Sequence, residues 1–336
     1  MKNFVKISRA IGGYFPLELP AAKEHLYPDT LLFSSARSAW RCLLSHYKPA
    51  AVWLPGYICN VMVAVLWELN IQVRFYSLDS HFLPTEDIVL RENELILWVN
   101  YFGLHEAQSA RMLQRFPPQQ VIMDHAQAFY SSPKKCLATL YSPRKFFGVP
   151  DGGLLATSLD IPLPATEPRQ SLNRTDHLLQ RLAWDAEQGF SAYQQAEASF
   201  DHAPAAAMSQ LTDRLLKSVD YAFCKNRRNE NFALLHQRLK QHNAFPLETI
   251  RADGALCYPF LTLHPSLKEF LTTQRIYTPV YWRDAAARLS PNDKARPLID
   301  HLIALPIDQR YAGNEMNIIA ETIIAFLERQ KSVSDE

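Results

Sequence analysis

From residue 30 to 157, short apolar runs alternate with stretches whose apolar residues recur at helical spacing. That alternation predicts a mainly parallel sheet with crossover helices, an α/β fold. The runs are AVWL at 51–54, VRFYSL at 73–78, LILWV at 95–99, QVIMD at 120–124, CLATLYS at 136–142 and GGLLAT at 152–157. Between them, SARSAWRCLLSHY and CNVMVAVLWELN carry apolar residues spaced for one buried helix face. The stretch 161–176, IPLPATEPRQSLNRTD, loses this period and holds three prolines, so a long surface loop is expected. From Pro204 to about His242 the pattern turns helical over a longer span than elsewhere. Leu211, Leu215, Val219, Phe223, Phe232, Leu235 and Leu239 form the expected stripe, with Arg227 and Arg228 facing solvent. ALCYPFLTL, SLKEFLTTQ, IYTPVYW and NEMNIIAETIIAFLERQ then suggest a small α+β unit. The expected division is a large domain over 1–240, a small one over 241–330 and a polar tail at 331–336.

Composition narrows the classes. A chain of 336 residues, 48% of them hydrophobic, can bury a large core. The formal charge is +1 with no long run of either sign, which argues against nucleic acid as a partner. Cys42, Cys59, Cys136, Cys224 and Cys257 are far apart, with no C-x-x-C pair. They suit reduced thiols better than a disulfide frame or a metal site. The opening MKNFVKISRAIGGYF has no apolar core of signal-peptide length. Pro49 to Trp67 is uncharged, but Pro55, Gly56 and Asn60 interrupt it, so a strand, a turn and a helix are expected there. A cytoplasmic protein without a membrane segment follows as the expectation.

Candidate chemistry lies in the α/β part. Asp124 ends an apolar run, where open α/β sheets place ligand-binding groups. Lys145 lies one strand further along, in LYSPRKFFGVPDGGLLAT, just before the tightest glycine cluster of a glycine-poor chain. An acid and a lysine at neighbouring strand ends can serve pyridoxal phosphate, whose carbonyl takes a lysine Schiff base and whose ring nitrogen needs a carboxylate. The cofactor's phosphate needs a cradle, and FSSARSAW at 33–40 offers a small-residue turn opening a helix. Read alone, Ser34 and Ser35 also suit a simple helix cap. Lys134 and Lys135 are rival lysines, in a polar turn without glycines.

With these residues in this order, the chain resembles the DegT/DnrJ/EryC1/StrS aminotransferases, pyridoxal-phosphate enzymes of fold type I. VIMDHAQAF is similar to the family's acidic strand end, SPRKFFGVPDGG to its lysine and following glycines, and SSARSAW to its phosphate turn. ALPIDQRYAGNEM, 304–316, is similar to its approach to the last helix. The resemblance implies that Lys145 forms the Schiff base and moves the substrate proton, that Asp124 pairs with the pyridine nitrogen and that Gln127 bonds the phenolic oxygen. It implies a phosphate site at Ser35, Ala36 and Arg37, helped by Ser142, with Tyr57 covering a ring face. His125 is expected to pack beside the site, and Tyr101 is a second aromatic candidate.

Three departures stand out. Leu140 takes a position where the family often has serine, with Ser142 as its substitute. Arg37 replaces a threonine. SFDHAPAAAMS stands where a partner-subunit segment usually reaches the phosphate. Residues 165–205 are therefore expected to close over a partner's site, with Arg174 as the anionic contact. The function implied is amino transfer from a donor such as glutamate to a keto sugar, nucleotide-linked, by a homodimer with its site at the interface. The family's dehydrating members replace the lysine by histidine, so Lys145 argues for amine transfer. A non-sugar substrate, or a silent cofactor-binding regulator, are the alternatives.

Overall fold

The computed structural model describes residues 12–201, 203–247, 252–291 and 293–334. The chain begins with β1 (Leu31–Phe33), α1 (Ala36–Tyr47), β2 (Ala51–Pro55), α2 (Asn60–Glu68), β3 (Gln72–Tyr76) and β4 (Glu94–Val99). α3 (Glu106–Arg115), β5 (Val121–His125), β6 (Ala138–Tyr141) and β7 (Gly153–Thr157) complete the main sheet. Five more helices follow: α4 (Pro168–Asn173), α5 (Asp176–Ala183), α6 (Ala186–Ala198), α7 (Gln210–Leu216) and α8 (Tyr221–Leu239). The chain then adds β8 (Tyr258–Leu261), α9 (Leu267–Thr273), α10 (Arg296–His301), β9 (Leu302–Leu305) and α11 (Gly313–Ser334).

The main sheet has seven strands in the order β1, β7, β6, β5, β4, β2, β3. Strands β2 to β6 pair in parallel, whereas β7 runs antiparallel to both β6 and β1. Every residue of β4, β5 and β6 is buried, as in a parallel sheet covered on both faces. Edge strand β3, by contrast, leaves Gln72 and Phe75 exposed. Helix α1 starts because the Ser35 hydroxyl accepts the Ser38 amide, and it buries Ala39, Trp40, Leu43 and Leu44 along one stripe. It stops at Lys48, which adopts the left-handed conformation at φ 54°. β8 and β9 form a separate antiparallel pair, flanked by α9, α10 and α11. Among the described residues, no helix is long and apolar enough to cross a membrane.

Several expectations need correction. The expected loop at 161–176 contains α4, whose first turn holds Pro168, a position where proline loses no hydrogen bond. The expected long helix breaks between Leu216 and Tyr221. Asp220 caps a new start there, accepting the Phe223 amide at 2.9 Å. The expected polar tail continues α11 through Ser334, with residues 335 and 336 outside the described residues. Arg228 does not face solvent: it is 1% exposed on α8.

The reason lies in the backbone around Arg228. Its Nη1 donates to the carbonyls of Ala255 and Leu256 at 3.1 Å each, and its Nη2 to Phe146 O at 3.3 Å. The guanidinium also lies over the Phe146 ring, 4.7 Å from its centroid. One turn on, Asn231 donates to the carbonyls of Ile307, Asp308 and Tyr311. Helix α8 thus joins the β8–β9 unit to the turn carrying Lys145. Replacing Arg228 by alanine leaves three carbonyls short of a donor and is expected to cost about 3 kcal/mol, read from the urea unfolding midpoint.

Candidate active site

β5 is the middle strand of seven, and its C-terminal end delivers Asp124, which is 6% exposed. Oδ1 of Asp124 accepts the Ala126 amide at 2.8 Å. Burial pushes its carboxyl up, while the charge of Lys145 and the Ala126 amide pull it back. Lys145 closes a single 3-10 turn, Pro143–Lys145, directly after neighbouring strand β6, and its side chain is exposed. Its charge is felt by the Asp124 carboxyl and by the half-buried Cys59 thiol, and Lys145 and Asp124 sit at the C-terminal ends of neighbouring strands.

The glycine cluster explains how the helix start arrives beside them. Gly152 donates its amide to Ser34 O at 2.6 Å and sits at φ 131°, a conformation suited to glycine. A Cβ on Gly153 would lie 2.1 Å from the carbonyl carbon of Ser35, and one on Gly152 would lie 2.9 Å from Pro143 Cγ. Bare backbone therefore lets β7 press against the start of α1, beside the Lys145 turn. The first amides of α1, on Ala36 and Arg37, carry the positive end of the helix. Ser35 is occupied as the cap, and its Oγ also bonds Ser38 Oγ at 3.1 Å. The Arg37 guanidinium turns the other way, to Phe200 O and to Asp201 at 3.1 Å. Only its backbone is left for the turn. Ser142 is buried at the end of β6 before Pro143, and Leu140 is core.

Gln127 is the most informative side chain. It is fully buried, and its Oε1 accepts the Phe102 amide at 3.0 Å. That bond assigns the amide orientation and leaves Nε2, a donor, buried without a partner. Phe102 itself is held at φ 58° to aim its amide there. A buried donor of this kind needs an acceptor oxygen.

Tyr57 is fully buried and stacks on Tyr101 at 5.6 Å and 12°. Trp282 meets both rings edge-on, at 4.8 and 5.6 Å. Trp282 sits at φ 53° and closes this aromatic corner from the C-terminal side. Sequence reasoning passed over it inside YTPVYW, where only the density of aromatics signalled a role. His125 is fully buried, edge-on to Tyr141, and burial holds its imidazole down to about 3, hence neutral. Lys134 pairs with Glu106 away from the cleft.

Arg174 is 4% exposed and committed within its own chain. It donates to Ser199 Oγ at 2.6 Å and to Ser199 O at 3.1 Å, and it stacks on Phe200 at 3.7 Å. Arg144 covers Phe200 as well, at 4.0 Å, and pairs with Glu197. Burial lowers the Arg144 guanidinium to about 10, with Arg174 and Arg37 adding to the effect and Tyr193 and Asp151 opposing it. A hollow of about 380 Å³ between α4, α5 and α6 is lined by Gln170, Asn173, Arg174 and Gln195, and its lining includes neither Asp124 nor Lys145. His177 and Tyr193, on the two helices that the Arg144–Glu197 pair ties to the Lys145 turn, gave no signal in the sequence.

No family model matches the chain, and no curated protein does. Solved structures do. Spr1654 of Streptococcus pneumoniae, assigned as a sugar aminotransferase, superposes in its PMP form with a TM-score of 0.63 at 15% identity, covering 91% of this chain and 88% of that one. PseC of Helicobacter pylori, an aminotransferase in pseudoaminic acid biosynthesis, gives 0.60 at 14%, covering 89% and 87%. DesI, solved with its TDP-sugar product, gives 0.61 at 13%, covering 91% and 82%. The chain therefore has the architecture of the fold-type I aminotransferases.

Proposed function

We propose that this protein is a pyridoxal-phosphate-dependent aminotransferase that moves an amino group from a donor such as glutamate to a keto sugar carried on a nucleotide. The observation that carries the reading is Gln127. Its unpartnered, fully buried Nε2, three residues along the chain from the strand-end carboxylate of Asp124, suits the phenolic oxygen of this cofactor. The donor set agrees: a buried acid suits the ring nitrogen, and the first amides of α1 with Ser142 suit the phosphate. Similar folds support the class. Spr1654 was solved in PLP and PMP forms, and DesI with a TDP-sugar.

When bound, pyridoxal phosphate supplies an electron sink for the carbon that bears the amine. Asp124 keeps a proton on the ring nitrogen, since a cation there restores the carboxylate that burial alone disfavours. Gln127 donates to the phenolic oxygen and fixes the tilt of the ring. With the cofactor bound, Lys145 would carry a proton between the amine-bearing substrate carbon and the cofactor. Tyr57, Tyr101 and Trp282 keep that side of the cleft dry. A homodimer agrees with the surface of the 163–193 segment. Leu172, Leu179, Leu182, Trp184 and Phe190 are all exposed there, and α5 buries no residue.

Three outcomes test the reading. The purified protein, loaded with pyridoxal phosphate and treated with borohydride, is expected to yield a labelled peptide containing Lys145; a label on Lys134 or Lys135 removes the assignment. Asp124→Asn is expected to retain cofactor but slow turnover by about three orders of magnitude, measured in single-turnover absorbance. Gln127→Leu removes the buried donor and is expected to weaken cofactor binding about tenfold, by titration of the apo-protein.

A further inference from the structure

The 165–205 span, expected to close over a partner's site, holds an antiparallel pair, α5 and α6, and its attachments define its position. At its base, Glu197 pairs with Arg144, the residue before Lys145, and a Cβ on Gly148 would meet Leu178 at 3.7 Å. Arg144 and Arg174 clamp Phe200 between them. At its tip the pair is tied to the opposite wall. Arg275 bonds Glu187 at 2.8 Å and Asp185 at 2.9 Å, and Tyr277 donates to Glu187 at 2.6 Å. The pair therefore bridges from the Lys145 turn to the 275–282 segment that ends in Trp282. Between the two anchors, the His177 and Tyr193 rings lie 5.7 Å apart. Tyr193 also stacks on Phe190, its ring centroid 6.3 Å away at 28°. His177 feels the charge of Arg144.

Resting on the aminotransferase reading above, we propose that α5 and α6 form the substrate-side wall of the Lys145 cleft, supplied by the chain to its own site, and that Tyr193, exposed between the two anchors, contacts the sugar. A phenol both donates and accepts, which suits a hydroxyl-rich ligand, and its ring offers a flat apolar face to the sugar's C–H surface. Arg275 acts as a positioning residue. Its bonds are solvent-exposed, so they hold the tip loosely enough for the wall to move when substrate enters.

The test uses holoenzyme carrying pyridoxal phosphate, with a TDP-hexose and a UDP-hexose as probes. A nucleotide sugar is expected to slow hydrogen exchange across 176–198. Tyr193→Phe is expected to weaken its binding about tenfold by calorimetry, leaving the absorbance of bound cofactor unchanged. Arg275→Ala is expected to speed exchange in the same segment and raise KM without lowering kcat, and Arg275→Lys to keep part of the protection. Failure to take up pyridoxal phosphate overturns the aminotransferase reading and this inference with it. Uptake of cofactor together with a segment that neither probe protects, or with full affinity in Tyr193→Phe, overturns the wall alone.

Discussion

Everything around the cleft depends on a contact in which no side chain takes part. Gly153 can lie against Ser35 only because it has no Cβ; any other residue would place one 2.1 Å from the Ser35 carbonyl carbon. That approach seats the positive end of α1 beside the turn that follows β6. It also gives β7 its unusual direction, antiparallel between β6 and β1, since the strand must come back past the helix start it supports. The glycines after Lys145 therefore serve neighbouring backbone as much as the lysine. The start of a helix and an amine arrive at one place because two strands and a helix are packed at backbone distance.

The sheet was legible because burial on both faces leaves a strong mark. LILWV and VIM are apolar throughout, and the order of acid, lysine and glycines survived in the primary structure. Other features were illegible for physical reasons. β1 is three residues long, too short for any period to show. The break before α8 rests on the side chain of Asp220 bonding a local amide, a choice that an apolar stripe does not register. Arg228 looked like a surface charge because its partners are carbonyls up to 82 residues away in sequence. The helices of 168–198 were hidden by prolines and by an outer face that stays exposed, so no apolar stripe announces burial.

Local strain and uncompensated polarity occur among the candidate site residues. Phe102 and Trp282 hold left-handed backbone without being glycine, and each aims a group inward: an amide at Gln127, or an indole at Tyr57. Such conformations persist only where the surroundings over-determine them. Asp124 and Gln127 are likewise buried with less compensation than a stable core prefers. At these residues stability has been given up where binding can return it.

The carbonyl of Phe146, one residue past Lys145, has a wider consequence. It accepts from Arg228 on α8 and from Gln309 at 2.8 Å, just beyond β9. Two arms of the C-terminal half thus grip the peptide next to the lysine. Any rotation of that half against the main sheet is felt at this one oxygen, so the pitch of the lysine's turn and the opening of the cleft behave as a single lever.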